Sequence, residues 1–303
     1  MIRKLLLLPH IEVHNANALS SPFTIGFPAM TAWLGATHAL QRKLNSDGFK
    51  ALQFSATGVV SHRADLQTFK GVGDYVHSII GTGNPLVENK KRKKNEKFED
   101  FVRPSFIEEA RIHLDISLVI ELDGLEKIDE ESFKKRVYHH LLSSMKMAGG
   151  DILACKKPML FRVDEDDEKQ LFDFRKRLMP SYALVERKDL MIEAMENGAD
   201  AVDAVLDYLS LHHSCEKEDD KVVWSMKRKV LGWLVPIAVG FQGISPIGKA
   251  KNQRDAETPH RFAESVVTLG EFKMPYKITS IDEILWRYSY DEEKSLYLCE
   301  QTK

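Results

Sequence analysis

Between residues 111 and 120 the side chains alternate without a break. Ile112, Leu114, Ile116, Leu118 and Ile120 are apolar, and Arg111, His113, Asp115 and Ser117 stand between them. A period of two fits a strand with one face covered and the other left to polar groups. Residues 4–13 form a companion: an apolar run that passes into alternation, with Ile11 and Val13 on one side and His10, Glu12 and His14 on the other. The apolar opening, 1–8, is too short and too soon broken by Pro9 for a signal peptide, so a buried first strand is expected. Residues 54–67 supply another strand and 151–163 a fourth.

Helical periods fall between these strands. Pro28 suits a first helical turn, and Ala29, Trp33, Ala36, Leu40 and Leu44 form one apolar stripe. Asp129, Glu130 and Glu131 place acids at a second helix start, where the dipole favours them. Phe133, Val137, Leu141 and Met145 then repeat at helical spacing, with Gly149 as the expected stop. The resulting βαββαβ order predicts an α+β chain with a ferredoxin-like (RRM-like) palm over 1–163. Residues 164–303 read as helical and β-rich elaborations packed on that palm, not an independent domain. Helices are expected over 167–179, 187–197 and 199–213, a polar linker over 215–221, and one more helix after Pro259.

An insertion at about 70–105 separates the second and third strands. It holds Lys90, Lys91, Arg92, Lys93, Lys94 and Lys97 close together. A loop this long in a compact fold is functional or disordered, and such a charge run can neutralise phosphates or remain a solvated face. The net charge of −2 gives no general warrant for nucleic-acid binding, so the local distribution decides.

Two polar segments stand out. Asn15-Ala16-Asn17-Ala18-Leu19-Ser20-Ser21-Pro22 follows the first strand; its side chains can cap the turn or hydrogen-bond the exposed groups of unpaired RNA. Further on, Arg254, Glu257, Thr258, Pro259, Arg261 and Phe262 read as a helix start, with Thr258 as N-cap. Arg261 in its first turn would conflict with the dipole unless Asp255, Glu257 or a bound phosphate offsets it.

Cys155, Cys215 and Cys299 are odd in number and widely spaced, which argues against disulfides and a cysteine zinc site. No apolar run is long enough to cross a bilayer, so a cytoplasmic protein without membrane contact is expected. Eleven histidines invite an enzyme reading. His10, His14 and His38 lie near the polar turn and could serve as general bases. No catalytic triad pattern, metal-ligand helix or phosphate loop accompanies them, and His139-His140 and His212-His213 are poor chelators on helices. No cofactor and no metal are expected.

In order along the chain, residues 5–9, 15–22, Gly26-Phe27-Pro28, Ala39-Leu40-Gln41, Ala183-Leu184-Val185, 232–237, Ser245-Pro246 and 254–264 resemble one family. That family is the second subunit (Cas five-type) of the type I-F CRISPR surveillance (Csy) complex. The resemblance implies a non-catalytic, RNA-binding role in antiviral defence: a palm with an inserted thumb that grips the 5′ handle of the guide RNA. It implies pairing with the large subunit as a heterodimer, beside the first backbone subunit, and target DNA met through the assembled complex. In this family another subunit cuts the precursor RNA. On this reading Asn15, Asn17, Ser20, Ser21, Arg254 and Arg261 contact the handle, and the lysines at 90, 91, 93 and 94 with Arg92 hold its backbone. Arg111 and His113 stand where aromatic residues would stack bases, so sheet stacking is not expected to be the main mode. The alternative from the same fold family is a metal-independent endoribonuclease acting on repeat RNA.

Overall fold

The computed structural model describes residues 2–82, 86–88, 101–102, 108–124, 129–218, 221–251, 253, 255 and 257–301. The chain opens with a 16-residue strand, β1 (Ile2–Asn17). A small hairpin, β2 (Leu19–Ser21) and β3 (Thr24–Ile25), leads into helix α1 (Met30–Ser46). Strand β4 (Gln53–Leu66) runs out to two minor hairpins, β5 (Thr68–Phe69) with β6 (Ser78–Ile79) and β7 (Val87–Glu88) with β8 (Phe101–Val102). The chain returns through β9 (Arg111–Asp123), helix α2 (Glu130–Ser144), and strands β10 (Lys146–Met147), β11 (Gly150–Ala154) and β12 (Met159–Asp164).

Helix α3 (Glu168–Leu178), strand β13 (Tyr182–Glu186) and helices α4 (Lys188–Glu196) and α5 (Ala201–Leu209) follow. A hairpin of β14 (His212–Glu218) and β15 (Lys221–Lys227) precedes β16 (Leu234–Gly243) and β17 (Ala263–Lys273). Two short 3-10 turns, Pro275–Lys277 and Ile281–Ile284, lead to β18 (Arg287–Asp291) and β19 (Leu296–Glu300).

Eleven strands join in one sheet, in the order β10-β11-β1-β9-β4-β13-β17-β16-β19-β18, with β12 also on β1. Every pairing in it is antiparallel. Helices α1 and α2 lie on one face, where Trp33, Leu40, Leu44, Phe133, Val137 and Leu141 meet Leu6, Leu8, Ile112, Ile116 and Ile120 in one buried core. On the other face a second core joins Leu5, Leu7, Val60 and Val119 to Leu171, Phe174 and Leu178 of α3 and to Ile278, Ile281 and Leu285. A third, smaller core sets α4 and α5 against Leu234 and Leu269.

Strand β1 changes face twice. Its register with β9 slips between Leu8 and Ile11 and again between Val13 and Ala16. His10 (φ 49°) and Asn15 (φ 55°) occupy the left-handed region within these bulges. A one-residue slip exchanges the two faces, so Leu6 and Leu8, then Ile11 and Val13, then Ala16 all reach the helix side.

Four sequence expectations fail. Gly149 does not stop α2, which ends at Ser144; it lies in the turn between β10 and β11. The fourth strand is two strands on the same edge of β1, since β12 pairs with its start and β11 with its end, while Pro158 lies in the break between them. The helix expected after Pro259 is absent. Ala263–Lys273 is strand β17, because β-branched Val266, Val267 and Thr268 find a ready partner in β16. The polar stretch at 215–221 is no linker, and His212-His213 sit on strand β14. No helix among the described residues is long and apolar enough to cross a membrane.

Candidate nucleic-acid interface

The polar turn after β1 is braced from within. Asn17 Oδ1 accepts the Leu19 N–H at 2.8 Å, and the Asn17 N–H donates to the Ala148 carbonyl at 2.8 Å. The hydroxyls of Ser20 and Ser21 each lie 2.8 Å from Thr24 Oγ1, and Ser21 Oγ accepts the Phe23 N–H at 3.1 Å. Ser21 is buried, whereas Asn15 is exposed and Asn17 and Ser20 are half-exposed. The Asn15 N–H donates to His113 Nδ1 at 3.1 Å.

Asn17 and Ser20 also line a groove of about 480 Å³. One wall is the outer side of α1, where Ala32, Gly35, Ala36 and Ala39 present almost no side chain. The opposite wall carries Glu109, Arg111 and Lys146, and the turn at Ala148 and Gly149 closes one end. That turn uses positive φ at both residues, 46° and 77°. Helix α1 starts at Ala29 with no side-chain cap.

Arg111 is held in place. Its Nε donates to Thr82 Oγ1 at 2.9 Å and its guanidinium pairs with Glu109 at 3.1 Å. Lys146 is paired with Asp151 at 2.6 Å, but both side chains are well exposed. Such an exposed pair contributes little to stability and can exchange partners. Fixed and mobile cations, side-chain acceptors and a flat small-residue wall suit a polar, anionic chain that must approach backbone closely.

Sequence reasoning found Asn17 and Ser20 but not Arg111 as a groove residue, nor Lys146 or the α1 wall. The repeat of Ala32, Gly35, Ala36 and Ala39 at helical spacing, beside the stripe of Trp33 and Leu40, is the signal that could have found the wall.

Arg261 stands apart from this groove. It follows the bridge between Gly248 and His260 and lies over the end of β16, so close that a Cβ at Gly243 would come 2.4 Å from its Cδ. Its Nε is buried with no hydrogen-bond partner among the described residues. Asp255 instead accepts from the Thr258 hydroxyl and, at 3.0 Å, from the Glu257 N–H. The offsetting ion pair expected for Arg261 is not made among the described residues, and no helix dipole acts on it. Hairpin β2–β3 packs against β16, which links the two polar segments through one strand. Lys90, Lys91, Arg92, Lys93, Lys94 and Arg254 lie outside the described residues.

The histidines sort differently from their sequence order. On the sheet face opposite α1 and α2, His10 stacks on His62 with centroids 4.0 Å apart, and His14 stacks on His113 at 4.2 Å. His10 Nδ1 lies 3.1 Å from Asp115, and His62 Nε2 lies 2.7 Å from Ser117 Oγ. Burial lowers the His62 pKa, against a hydrogen bond to the Pro180 carbonyl that raises it. Burial, and then the neighbouring His14, lower that of His113. His38 is elsewhere, in a pocket with Gln41, Thr57 and Trp286 on the helix side. His62 was missed because it occupies a bulge in β4, between Ser61 and Arg63, where alternation fails.

Comparison with known proteins places this arrangement. The family model described as CRISPR-associated protein Csy2 matches residues 6–299. A CRISPR-associated protein Csy2 from Pseudomonas aeruginosa (strain UCBPP-PA14) is 33% identical over 321 residues, covering 97% of this chain and 94% of that protein. With a match across nearly its whole length, the chain belongs to the Csy2 family of CRISPR-associated proteins.

Proposed function

We propose that this Csy2 family member is a non-catalytic, RNA-binding subunit of the type I-F CRISPR Csy complex. In this reading it grips the 5′ handle of the guide RNA together with the large subunit. The observation that carries the reading is the groove beside α1, where Asn17, Ser20, Arg111 and Lys146 converge on a wall of small residues. A ferredoxin-like palm is the matching proposal for the fold. Its support is the strand order β11-β1-β9-β4, all antiparallel, with α1 and α2 on one face.

Within this proposal the groove holds handle nucleotides near their backbone, the half-exposed Arg261 offers the end of its guanidinium to a phosphate, and residues 90–94 with Arg254 add sequence-independent charge. Crosslink mapping in the assembled complex tests it. Guide-RNA crosslinks are expected at the β2–β3 hairpin and at Arg111. Their complete absence from this subunit overturns the reading. Replacing residues 90–94 with serine should flatten the salt dependence, by up to about 0.7 in log–log slope per lost phosphate contact.

A second reading, cleavage of repeat RNA by this chain, draws on the His62–Ser117 contact of 2.7 Å with His10 stacked alongside. Purified protein incubated with repeat RNA separates the two. No site-specific product is expected, and cleavage abolished by His62→Ala would establish the enzyme instead.

A further inference from the structure

We propose that His10, His62 and Asp115 form a binding site for a divalent first-row transition metal, with Zn2+ as the best fit. The three residues come from three adjacent strands, β1, β4 and β9, on the face opposite α1 and α2. One donor atom from each lies within 4.8 Å of the other two. A tetrahedral zinc ion with bonds of about 2.0–2.1 Å brings such donors to roughly 3.3 Å of one another. The two imidazoles are stacked at 4.0 Å, so one ring must turn out of the stack before both in-plane lone pairs meet one ion.

Two irregularities of the backbone make the cluster. His10 reaches this face through the bulge of β1, at a φ of 49° that a non-glycine residue seldom adopts. His62 reaches it through the bulge between Ser61 and Arg63 in β4. Regular strands would have sent at least one imidazole elsewhere, and bulges that re-aim side chains gather at functional sites.

The contacts around the donors have the character of a ligand shell. His62 Nδ1 lies 2.9 Å from the Pro180 carbonyl, so Nδ1 carries the proton and Nε2 presents its lone pair. Ser117 Oγ, 2.7 Å from that Nε2 and 3.0 Å from the His10 amide, donates its hydroxyl proton to the one and accepts from the other. His10 Nδ1 faces both carboxylate oxygens of Asp115, at 3.2 and 3.1 Å. A divalent ion would take the His62 lone pair from Ser117, and the His10 Nδ1 lone pair once the single proton of that neutral imidazole sits on Nε2. Acid competes with a metal for the same nitrogen lone pairs, so binding would weaken as pH falls.

Two neutral imidazoles and one carboxylate suit zinc, nickel or copper and are a poor set for magnesium or calcium, which take all-oxygen sites. Three protein ligands would leave at least one coordination position to water. The cluster is half-buried, within reach of ions from solvent.

Tag-free protein, stripped with a chelator and dialysed, is titrated with Co2+ and then Zn2+ while visible absorption and heat are followed. One equivalent of Co2+ is expected to give d–d absorption that Zn2+ abolishes. His62→Gln and Asp115→Asn should each weaken Zn2+ binding at least tenfold, as even second-shell changes cost 10–100-fold. A His212→Ala, His213→Ala double variant controls for adventitious surface chelation and should bind like wild type. Thermal melts keep the test sound: Zn2+ should raise Tm in wild type and not in a His62→Gln protein of unchanged circular dichroism. Equal Zn2+ affinity in wild type and His62→Gln, no binding at all, or binding lost only in the His212, His213 variant would each overturn the proposal.

Discussion

The face of the sheet opposite α1 and α2 has two ends that differ sharply, although the same strands build both. At one end β1, β4 and β9 present Leu5, Leu7, Val60 and Val119, and α3 with the segment 278–285 covers them. At the other end the same strands present His10, His14, His62, His113, Asp115 and Ser117, stacked and hydrogen-bonded among themselves. The boundary at the covered end is charged. Arg3 pairs with Glu121 at 2.6 Å, with Glu165 at 2.7 Å and with Asp282, while Arg287 joins Glu121 at 2.8 Å and Asp282 at 3.1 Å. A strand face is apolar only as far as its cover extends. Beyond the cover its side chains are available to bind something else.

Removing the cover should have the largest effect. Phe174 is 2% exposed and packs edge-on against Phe161 beneath α3. Phe174→Ala should destabilise the protein by about 3–5 kcal/mol through lost burial and the cavity left behind. Denaturant melts measure it, and a loss below about 1 kcal/mol would mean that α3 is not the lid of this face. The charged boundary comes next. Burial works against the Arg3 charge, but hydrogen bonds to Glu165 and Glu121 and the nearby Asp282 outweigh it and raise its pKa. Arg3→Met leaves Glu165 without its guanidinium, and Glu121 and Asp282 with Arg287 as their remaining cation, and should cost about 1.5–3 kcal/mol. A neutral result would assign the boundary to the surface.

Acid should find the open end first. Burial depresses the His62 pKa below its ordinary 6.5 in the folded state. The unfolded chain then binds more protons near neutrality, so stability rises with pH there. His62 thus contributes fully above pH 6.5, and its contribution is lost as pH falls through that value towards the folded pKa. At the covered end Glu283 behaves as a depressed carboxylate. Burial raises its pKa, yet hydrogen bonds from Lys273, Thr279 and Ser280 hold it down to about 2. Its contribution is intact above the ordinary 4.5 and is lost only as pH falls from there to about 2. Stability–pH curves of wild type and His62→Gln should diverge as pH falls below about 6.5 and run parallel again below the depressed folded pKa of His62. A difference confined to pH below 4 would break the contrast.

How much of this was legible depends on which force decides each element. The alternation of Ile112 to Ile120 and the stripes of α1 and α2 reflect one covered face, and β9, α1 and the start of α2 fall where those patterns put them, whereas α2 ends at Ser144, short of the expected stop at Gly149. The stretch after Pro259 was misread because Phe262, Val266 and Leu269 satisfy a helical spacing by chance. Only the partner strand β16, distant in sequence, makes the segment a strand. The site was half legible. Asn17 and Ser20 announced themselves as a polar turn, whereas Arg111 reads as any outward residue of an alternating strand until β1 and Thr82 are placed beside it. His62 was invisible because a bulge leaves no period to read.

The smallest expected effects repeat the covered-against-open contrast within one hairpin. Ser21 is 5% exposed, and its hydroxyl is spent on Thr24 and on the Phe23 amide. Ser21→Ala leaves both without their buried partner and should cost about 1–2 kcal/mol of stability. Guide-RNA affinity of the folded protein should not change. Ser20 is bonded to the same Thr24, at 2.8 Å, but stands half-exposed at the groove. Ser20→Ala should change stability by less than about 0.5 kcal/mol, as a surface substitution does. In the assembled complex it should weaken handle binding severalfold, as loss of one net hydrogen bond worth about 1 kcal/mol would. Melting and RNA binding measured on the same preparations give two numbers for each variant. If both variants lose stability and neither loses RNA, the whole turn is a brace, and the interface must be sought at Arg111 and Lys146.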